Sequence, residues 1–301
     1  MRIGTRRSAL ALTQANLIAH LLGDCEVVPI LTSGDRGARD GDKSRWVLEL
    51  EDALSRGEID LAVHSAKDLP GELGHGLALL GAPARAAAED VLCGVGAIDE
   101  LPDGARVGTS SIRRLAQLRA AREDLDVVAL RGNVDTRLGK LADHEQGVDA
   151  IVLARAGLQR LERESEIGGI LDPERFVPAP GQGTLALEGR ADDERVVEAV
   201  KAITDANAFA CLLAERALAR ELNASCHTPL GAHAVPAGCG CLTLRAWVGL
   251  PDGSAWASDE LIGGFYDPEA LGKRVAERMV AAGAGGLLRR AEEMATVAAS
   301  G

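Results

Sequence analysis

The stretch IDLAVHSAKDLP, residues 59–70, decides how this chain is read. Ile59, Leu61, Ala62 and Val63 make a short, nearly all-apolar run, the pattern of a strand covered on both faces. The run breaks into His64, Ser65, Lys67 and Asp68, and Pro70 stops further pairing. Open α/β sheets build their sites at the carboxyl ends of such strands, which makes Asp68 the first candidate for a catalytic carboxylate. Taken alone, the stretch is better explained by an aspartate capping a turn beside a solvated lysine. The assignment therefore rests on the rest of the chain.

Upstream, residues 2–5 read as a strand and Ser8 as the cap of a helix running to about Leu22. Apolar residues at 10, 17, 18, 21 and 22 give that helix its buried face, with Gln14, Asn16 and His20 as interruptions. Arg6 and Arg7 stand just ahead of its N-terminus, where main-chain N–H groups already favour an anion. Residues 25–31 read as a second strand, so the chain opens as a βαβ unit. The polar, glycine-rich TSGDRGARDGDKSR that follows is long for a connector and reads as an active-site loop or a lid. A helix over 46–54 then leads into the strand before Asp68.

Downstream, residues 77–80 read as a strand and the alanine-rich stretch to Asp90 as a crossing between domains. GTSSIRRLAQLRAAR (108–122) is a helix capped by Ser110 or Ser111, with Arg113 and Arg114 in its first turn. Positive charge there opposes the helix dipole, and basic residues in an unfavourable place hint at an anionic ligand. Residues 125–130 form a strand ending in RGNVDTRL, where Arg131 and Arg137 flank a turn and the next helix. VDAIVLA (148–154) repeats the pattern of IDLAVHS, which suggests two similar α/β units. PAPGQG (178–183) is a hinge by its proline and glycine content, and the strand TLALEG after it is expected to return to the first domain. A strong helix over 205–222 delivers Cys226 in the loop ASCHTPLG. In the remaining α+β unit, residues 241–250 pair with 254–262 across Pro251-Asp252-Gly253. Asp267 caps a last helix with Pro268 at its first position, and Gly283 ends it.

Composition narrows the function. A chain of 301 residues is long enough for two or three domains. Aromatic residues are only 2%, so Ala, Leu and Val must fill the cores. The net charge of −12 argues against a nucleic-acid binder but leaves room for a local basic pocket. The six cysteines follow no disulfide framework and read as reduced thiols. Cys239 and Cys241 form a C-x-C with no second pair of ligand spacing, so no metal is expected. The N-terminus carries no cleavage site of a signal peptide, and no window reaches the length of a membrane span. A cytoplasmic protein is expected.

Six motifs, TRRSALALTQA, HSAKDLP, GTSSIRR, RGNVDTRL, PAPGQG and SCHTPLG, occur in the order and approximate spacing of one family. The chain resembles the porphobilinogen deaminases, also called hydroxymethylbilane synthases, over essentially its whole length. The resemblance implies two similar doubly wound α/β domains of the periplasmic-binding-protein type (type II) and a smaller α+β C-terminal domain. The expected boundaries are residues 1–86 with 184–201, then 89–178, then 205–301. It implies condensation of four porphobilinogen molecules head to tail into hydroxymethylbilane, with loss of ammonia at each step. The growing chain is primed by a dipyrromethane cofactor held through a thioether to a cysteine, here Cys226.

By motif position Asp68 is the catalytic residue. The resemblance implies that it hands a proton to the leaving amine, stabilises the cationic methylenepyrrole and takes or relays the proton lost from the attacked pyrrole carbon. The cofactor-binding residues implied, besides Cys226, are Ser65, Lys67, Thr109, Ser110, Arg113, Arg114, Arg131 and Gly132. The substrate-binding residues implied are Arg6, Ser8, Arg137, Arg160 and Gln182. Each pyrrole carries an acetate and a propionate, and arginine grips carboxylates with two parallel hydrogen bonds. The expected partner is porphobilinogen, with neither nucleic acid nor membrane, and a monomer is expected. In departure from the family, the loop from Gly34 to Trp46 is short, and Trp46 stands where a phenylalanine is usual. Two other readings stay open: a non-catalytic binder of dicarboxylates, and, less favoured, a hydrolase using Cys226 and His227.

Overall fold

The computed structural model describes residues 1–31, 44–225 and 228–300, with side chains from 47 onward in the second segment and to 294 in the third. Residues 34–43 of the loop expected over Gly34 to Trp46, and the residues Cys226 and His227, therefore lie outside what is described. The described residues form three sheets, and the first two share one plan.

The first sheet begins with β1 (Arg2–Arg6), α1 (Ala9–Leu22), β2 (Glu26–Ile30), α2 (Ser44–Ser55), β3 (Leu61–Ser65) and β4 (Leu77–Gly81). The second takes β5 (Asp90–Cys93), β6 (Arg106–Gly108), α3 (Ile112–Ala121), β7 (Asp126–Val128), α4 (Val134–Ala142), β8 (Ala150–Ala154), α5 (Arg155–Arg160) and β9 (Gly169–Ile170). The chain then returns as β10 (Leu185–Arg190) and α6 (Glu194–Ile203) to complete the first sheet. Its order is β2-β1-β3-β10-β4, and that of the second is β7-β6-β8-β5-β9. In each the fourth strand is antiparallel to its neighbours and is the one made by the chain as it crosses between the units. The chain thus returns to the first sheet after the second is complete. β5 and the two-residue β9 carry too little pattern to be read from the sequence.

Both sheets are covered on two faces because their strands alternate between two sets of apolar residues. Leu61, Val63, Leu185 and Leu187 pack with Ala15 and Ile18 of α1 and Val196 and Val200 of α6. Ala62 faces the opposite side, against Leu50, Ala53 and Leu54 of α2. The second sheet repeats this arrangement, with α3 behind Val107, Ala150 and Val152 and α4 behind Ile151 and Leu153. This is the doubly wound, two-lobed layout expected from the sequence.

The third unit starts with α7 (Ala206–Glu221), whose N-cap Asp205 accepts from Ala208 N at 2.8 Å. It continues with β11 (Leu230–Gly238), β12 (Cys241–Gly249), β13 (Trp256–Gly264), α8 (Pro268–Ala281) and α9 (Ala284–Ser300). The β12–β13 hairpin and the Asp267 cap follow the sequence reading, whereas β11 and α9 were not expected. β11 ends in Val235-Pro236-Ala237-Gly238, and that proline hides its strand character. α7 and α8 cover one face of this sheet through Ala214, Leu218, Leu271, Val275 and Met279. On its other face Trp247 packs against Ala116 and Val177 of the second unit.

One carboxylate joins the three units. Glu215 of α7 has no exposed surface. Its Oε1 accepts from Arg85 Nη1 and from Ala234 N, both at 2.7 Å. Its Oε2 accepts from Gly181 N at 2.6 Å and from Arg85 Nη2 at 3.3 Å. Arg85 belongs to the outgoing crossing, Gly181 to the returning one and Ala234 to β11. Gly183 on the returning crossing has φ of 86°, and a Cβ there would sit 2.4 Å from Ala86 O, so only glycine lets the two crossings touch. Glu215→Ala strands the Arg85 guanidinium in a poorly hydrated junction, and a loss of about 3–5 kcal/mol is expected. Urea unfolding checks this, and an unchanged midpoint would remove the junction from the stability of the fold.

Candidate active site

The polar residues singled out in the sequence lie at the carboxyl ends of strands in both lobes. Arg6 ends β1, Ser65 ends β3, and Asp68 closes the single 3₁₀ turn Ala66–Asp68 that follows. Thr109 and Ser110 follow β6, and Arg131 and Gly132 follow β7. Arg137 lies in α4 and Arg160 ends α5. β10 runs antiparallel, so its leading residue Thr184 arrives at the same edge.

Two adjoining cavities, of about 510 and 540 Å³, open there. The first is lined by Arg6, Ser8, His64, Ser65 and Asp68, together with Val47 and Leu50. The second spans the lobes, with Ser65 and Lys67 on one side, Arg114, Arg137 and Arg160 on the other, and Gly181, Gly183 and Thr184 of the returning crossing at its back. Leu10, Gln14 and Ser65 line both. The Gln14 amide donates to Ser65 Oγ at 2.9 Å, and that hydroxyl lies 3.2 Å from Gln14 Oε1.

Gln14 was passed over as an interruption in the apolar pattern of α1. It is 3% exposed and sits one turn from both Leu10 and Ile18. A polar side chain on the buried face of a helix costs free energy unless it is bonded, and that was the available signal. Ser8 also caps α1, accepting from Ala11 N at 3.3 Å, so one hydroxyl both starts the helix and lines the cavity.

Charge is concentrated here against the trend of the molecule. Among the described residues the linings hold the cations Arg6, Lys67, Arg114, Arg137 and Arg160 and the single carboxylate Asp68. The Arg160 guanidinium donates to Gly183 O at 2.7 Å, and burial pulls its pKa down to about 10. Arg137 donates to Gly132 O at 2.9 Å and is lowered by burial and by the charge of Arg114. Neither has a carboxylate within ion-pair distance among the described residues. Thr184 Oγ1 is buried without a hydrogen-bond partner. Half-buried guanidinium groups lacking counter-charge, beside an unused hydroxyl, suit a ligand rich in carboxylates. A dipyrromethane bearing acetate and propionate groups fits that donor set.

Other expected ligand residues are placed differently. Arg113 is 3% exposed and lines neither cavity. Its guanidinium meets Asp90 Oδ2 at 2.8 Å, Gln117 Oε1 at 3.0 Å and Val177 O at 2.9 Å. Its early place in α3, capped by Ser111, is as expected, but the side chain turns inward rather than toward a ligand. Gln182 is also buried, donating to Ala88 O at 2.6 Å and to Asp90 Oδ1 at 2.9 Å. Arg114 shares Asp90, with Nη2 at 2.7 Å from Oδ1, while still lining the second cavity. Thr109 Oγ1 accepts from Ser111 N, and the exposed Ser110 donates to Leu130 O. Arg131 and Gly132 are exposed and line neither cavity. Cys93 and Cys211 are buried thiols pushed up to about 11 and about 12, first by desolvation, which makes them poor nucleophiles.

Asp90 is held well below the ordinary carboxylate range: burial opposes ionisation, but Arg113 and Arg114 outweigh it. A carboxyl whose folded pKa is depressed stabilises the fold above its unfolded value, about 4, and loses that contribution as pH falls below it. Asp90→Asn is therefore expected to cost about 3–5 kcal/mol at pH 7. The gap to the parent protein should narrow below about pH 4, as read by urea midpoints across pH. A gap independent of pH would contradict the ion-pair account.

The cleft and its chemistry agree with what this chain is similar to. A family model described as porphobilinogen deaminase, dipyromethane cofactor binding domain, matches residues 1–198, and one described as porphobilinogen deaminase, C-terminal domain, matches residues 209–281. The porphobilinogen deaminase of Brevibacillus brevis is 44% identical over 300 residues, covering 95% of this chain and 96% of that one. That of Deinococcus deserti is 44% identical over 309 residues, covering 97% and 98%. A solved ABC transporter structure from Parabacteroides distasonis shares 14% identity, covering 67% of this chain and 69% of that one, with a TM-score of 0.39. With both parts of the family matched in order along nearly the whole sequence, the chain belongs to the porphobilinogen deaminase family.

Proposed function

We propose that this chain condenses four molecules of porphobilinogen into hydroxymethylbilane, releasing ammonia at each step, and that Asp68 carries the chemistry. The observation that carries the reading is the cleft lining: five cations and one carboxylate in a protein of net charge −12. A binder of dicarboxylates needs the cations but not Asp68.

When bound through Cys226, the dipyrromethane supplies the terminal pyrrole carbon to which the first substrate is joined. The rest falls to the protein. Lys67, Arg114, Arg137 and Arg160, with Ser65, hold acetate and propionate groups in the cavity between the lobes. Arg6 and Ser8 hold those of the incoming porphobilinogen beside Asp68. The Asp68 carboxyl gives its proton to the departing amine, and the carboxylate left behind steadies the methylenepyrrole cation in a cavity partly walled by Val47 and Leu50. It then takes the proton released from the attacked carbon, which restores it for the next round. Arg113 and Gln182 act from behind, fixing Asp90 and through it Arg114. Thr109, Ser110, Arg131 and Gly132 form the outer rim of the second lobe.

In this reading residues 1–86 with 184–201 form the catalytic lobe, 89–178 the arginine-bearing lobe and 205–301 the cofactor-bearing domain. The enzyme works as a monomer in the cytoplasm and takes no nucleic acid as a partner. No helix of the described residues is long and apolar enough to cross a membrane.

Asp68→Asn is expected to keep the fold and the bound primer but to lower turnover of porphobilinogen by about 10²–10⁴; turnover near the parent rate would remove Asp68 from the mechanism. Intact mass under denaturing conditions should show an excess of two linked pyrrole units on the Cys226 peptide. Cys226→Ala should lack it, and a variant that still carried the excess would refute the attachment site.

A further inference from the structure

Behind the Asp68 turn lies a set of buried ionisable groups that the reaction as described does not use. His64 and Glu188 sit on neighbouring strands, since His64 pairs with Ala186 and Ala62 with Glu188. Residues 62, 64, 186 and 188 thus share the sheet face that α2 covers. His64 Nε2 lies 2.8 Å from Glu188 Oε2, off the line of a straight hydrogen bond. Glu188 has no exposed surface, and neither of its oxygens accepts from an N–H or O–H donor among the described residues. Glu51 of α2, 7% exposed, brings a second carboxyl against Glu188 while its Oε1 accepts from Gly74 N at 3.0 Å.

Burial, together with the negative charge of Glu188, raises the pKa of Glu51. A proton on Glu51 is the donor that Glu188 otherwise lacks. An apolar trio of similar shape would pack here at no electrostatic cost, which singles out the cluster as more than packing. Its opening is His64, which lines the cavity of Asp68. The other charged groups around it are Asp68 and Arg6, which line the same cavity as His64, and Arg216 from α7, which interacts with the charge of Glu188 and donates to Pro70 O at 2.7 Å and Gly71 O at 3.0 Å.

We propose that Glu51, Glu188 and His64 form a buried proton store for Asp68, with His64 as the positioning residue that connects the two. The inference rests on Asp68 being the catalytic group. The proton lost from the attacked pyrrole carbon passes through the Asp68 carboxyl to the store. The same proton returns to Asp68 and leaves with the next amine. Each condensation takes up one proton and releases one, so the store is unchanged over a cycle.

The test compares the loaded parent enzyme with Glu188→Gln and Glu51→Gln, which keep shape and remove the shared proton site. The readouts are the pH profile of kcat, KM for porphobilinogen and the ¹⁵N signals of the His64 ring. Glu188→Gln should lose roughly 10-fold or more in kcat with KM nearly unchanged. Its pH profile should be displaced, and the His64 ring signals should move in both variants. Glu188→Asp should restore part of the parent profile. Should Glu188→Gln fail to fold, as judged by circular dichroism, Glu51→Gln alone decides by the same displacement. A lowered kcat with an unmoved profile and unmoved ring signals would reduce the cluster to packing. A parent enzyme that carries the primer but does not turn over porphobilinogen would overturn the functional reading itself, and this inference with it.

Discussion

The structure depends on a carboxylate that never meets water. Glu215 accepts four hydrogen bonds, and its donors come from the outgoing crossing, the returning crossing and the third sheet. Desolvating a charge is costly, and it is tolerated here because both oxygens are saturated and Arg85 supplies the opposite charge in a two-pronged contact. Arg85 also donates to Gln182 O at 2.8 Å, and Gln182 donates to Asp90, so the junction runs on into the buried arginine pair of the second lobe. One network therefore links the third domain to the hinge and the hinge to the cleft wall. Next to Glu215 on α7, Arg216 holds the loop that follows Asp68. Two consecutive residues of one helix thus reach the hinge and the loop after the Asp68 turn.

The cleft is built on a contrast of charge. Among the described residues the linings of the cleft gather five cations and one carboxylate where the strand ends of two lobes face each other. Arg137 and Arg160 bond to main-chain carbonyls, which orients them without neutralising them. Arg113 and Arg114 sit side by side on α3, yet one is consumed by Asp90, Gln117 and Val177 while the other also faces the cavity. Neighbouring positions on a helix point about 100° apart, so a pair of adjacent arginines seldom serves one ligand equally.

Sequence alone was sufficient where the signal is local. The β1, α1 and β3 pattern, the Ser8 and Asp267 caps, and the Pro251-Asp252-Gly253 hairpin are all set by a few adjacent residues, and the structure has them. The order and spacing of six motifs carried the family, because sequence order survives any ignorance of packing. The motif match also brought Asp68, Lys67 and the cavity arginines to notice without a coordinate.

Tertiary structure decided what depends on partners remote in the chain. Glu215 lies 130 residues from Arg85, and in sequence it is one polar position on a strong helix. Gln14 meets Ser65 from 51 residues away, and Glu188 meets His64 across two strands distant in the chain. β5 is recognisable only as the complement of β8, and β9 only as that of β5, since four and two residues hold too little periodicity of their own. Local chemistry is written in adjacent residues, so the sequence determined elements, caps and family. Burial and pairing are properties of the folded chain, so only the packed structure decided which charges face the cleft and which are spent in holding it together.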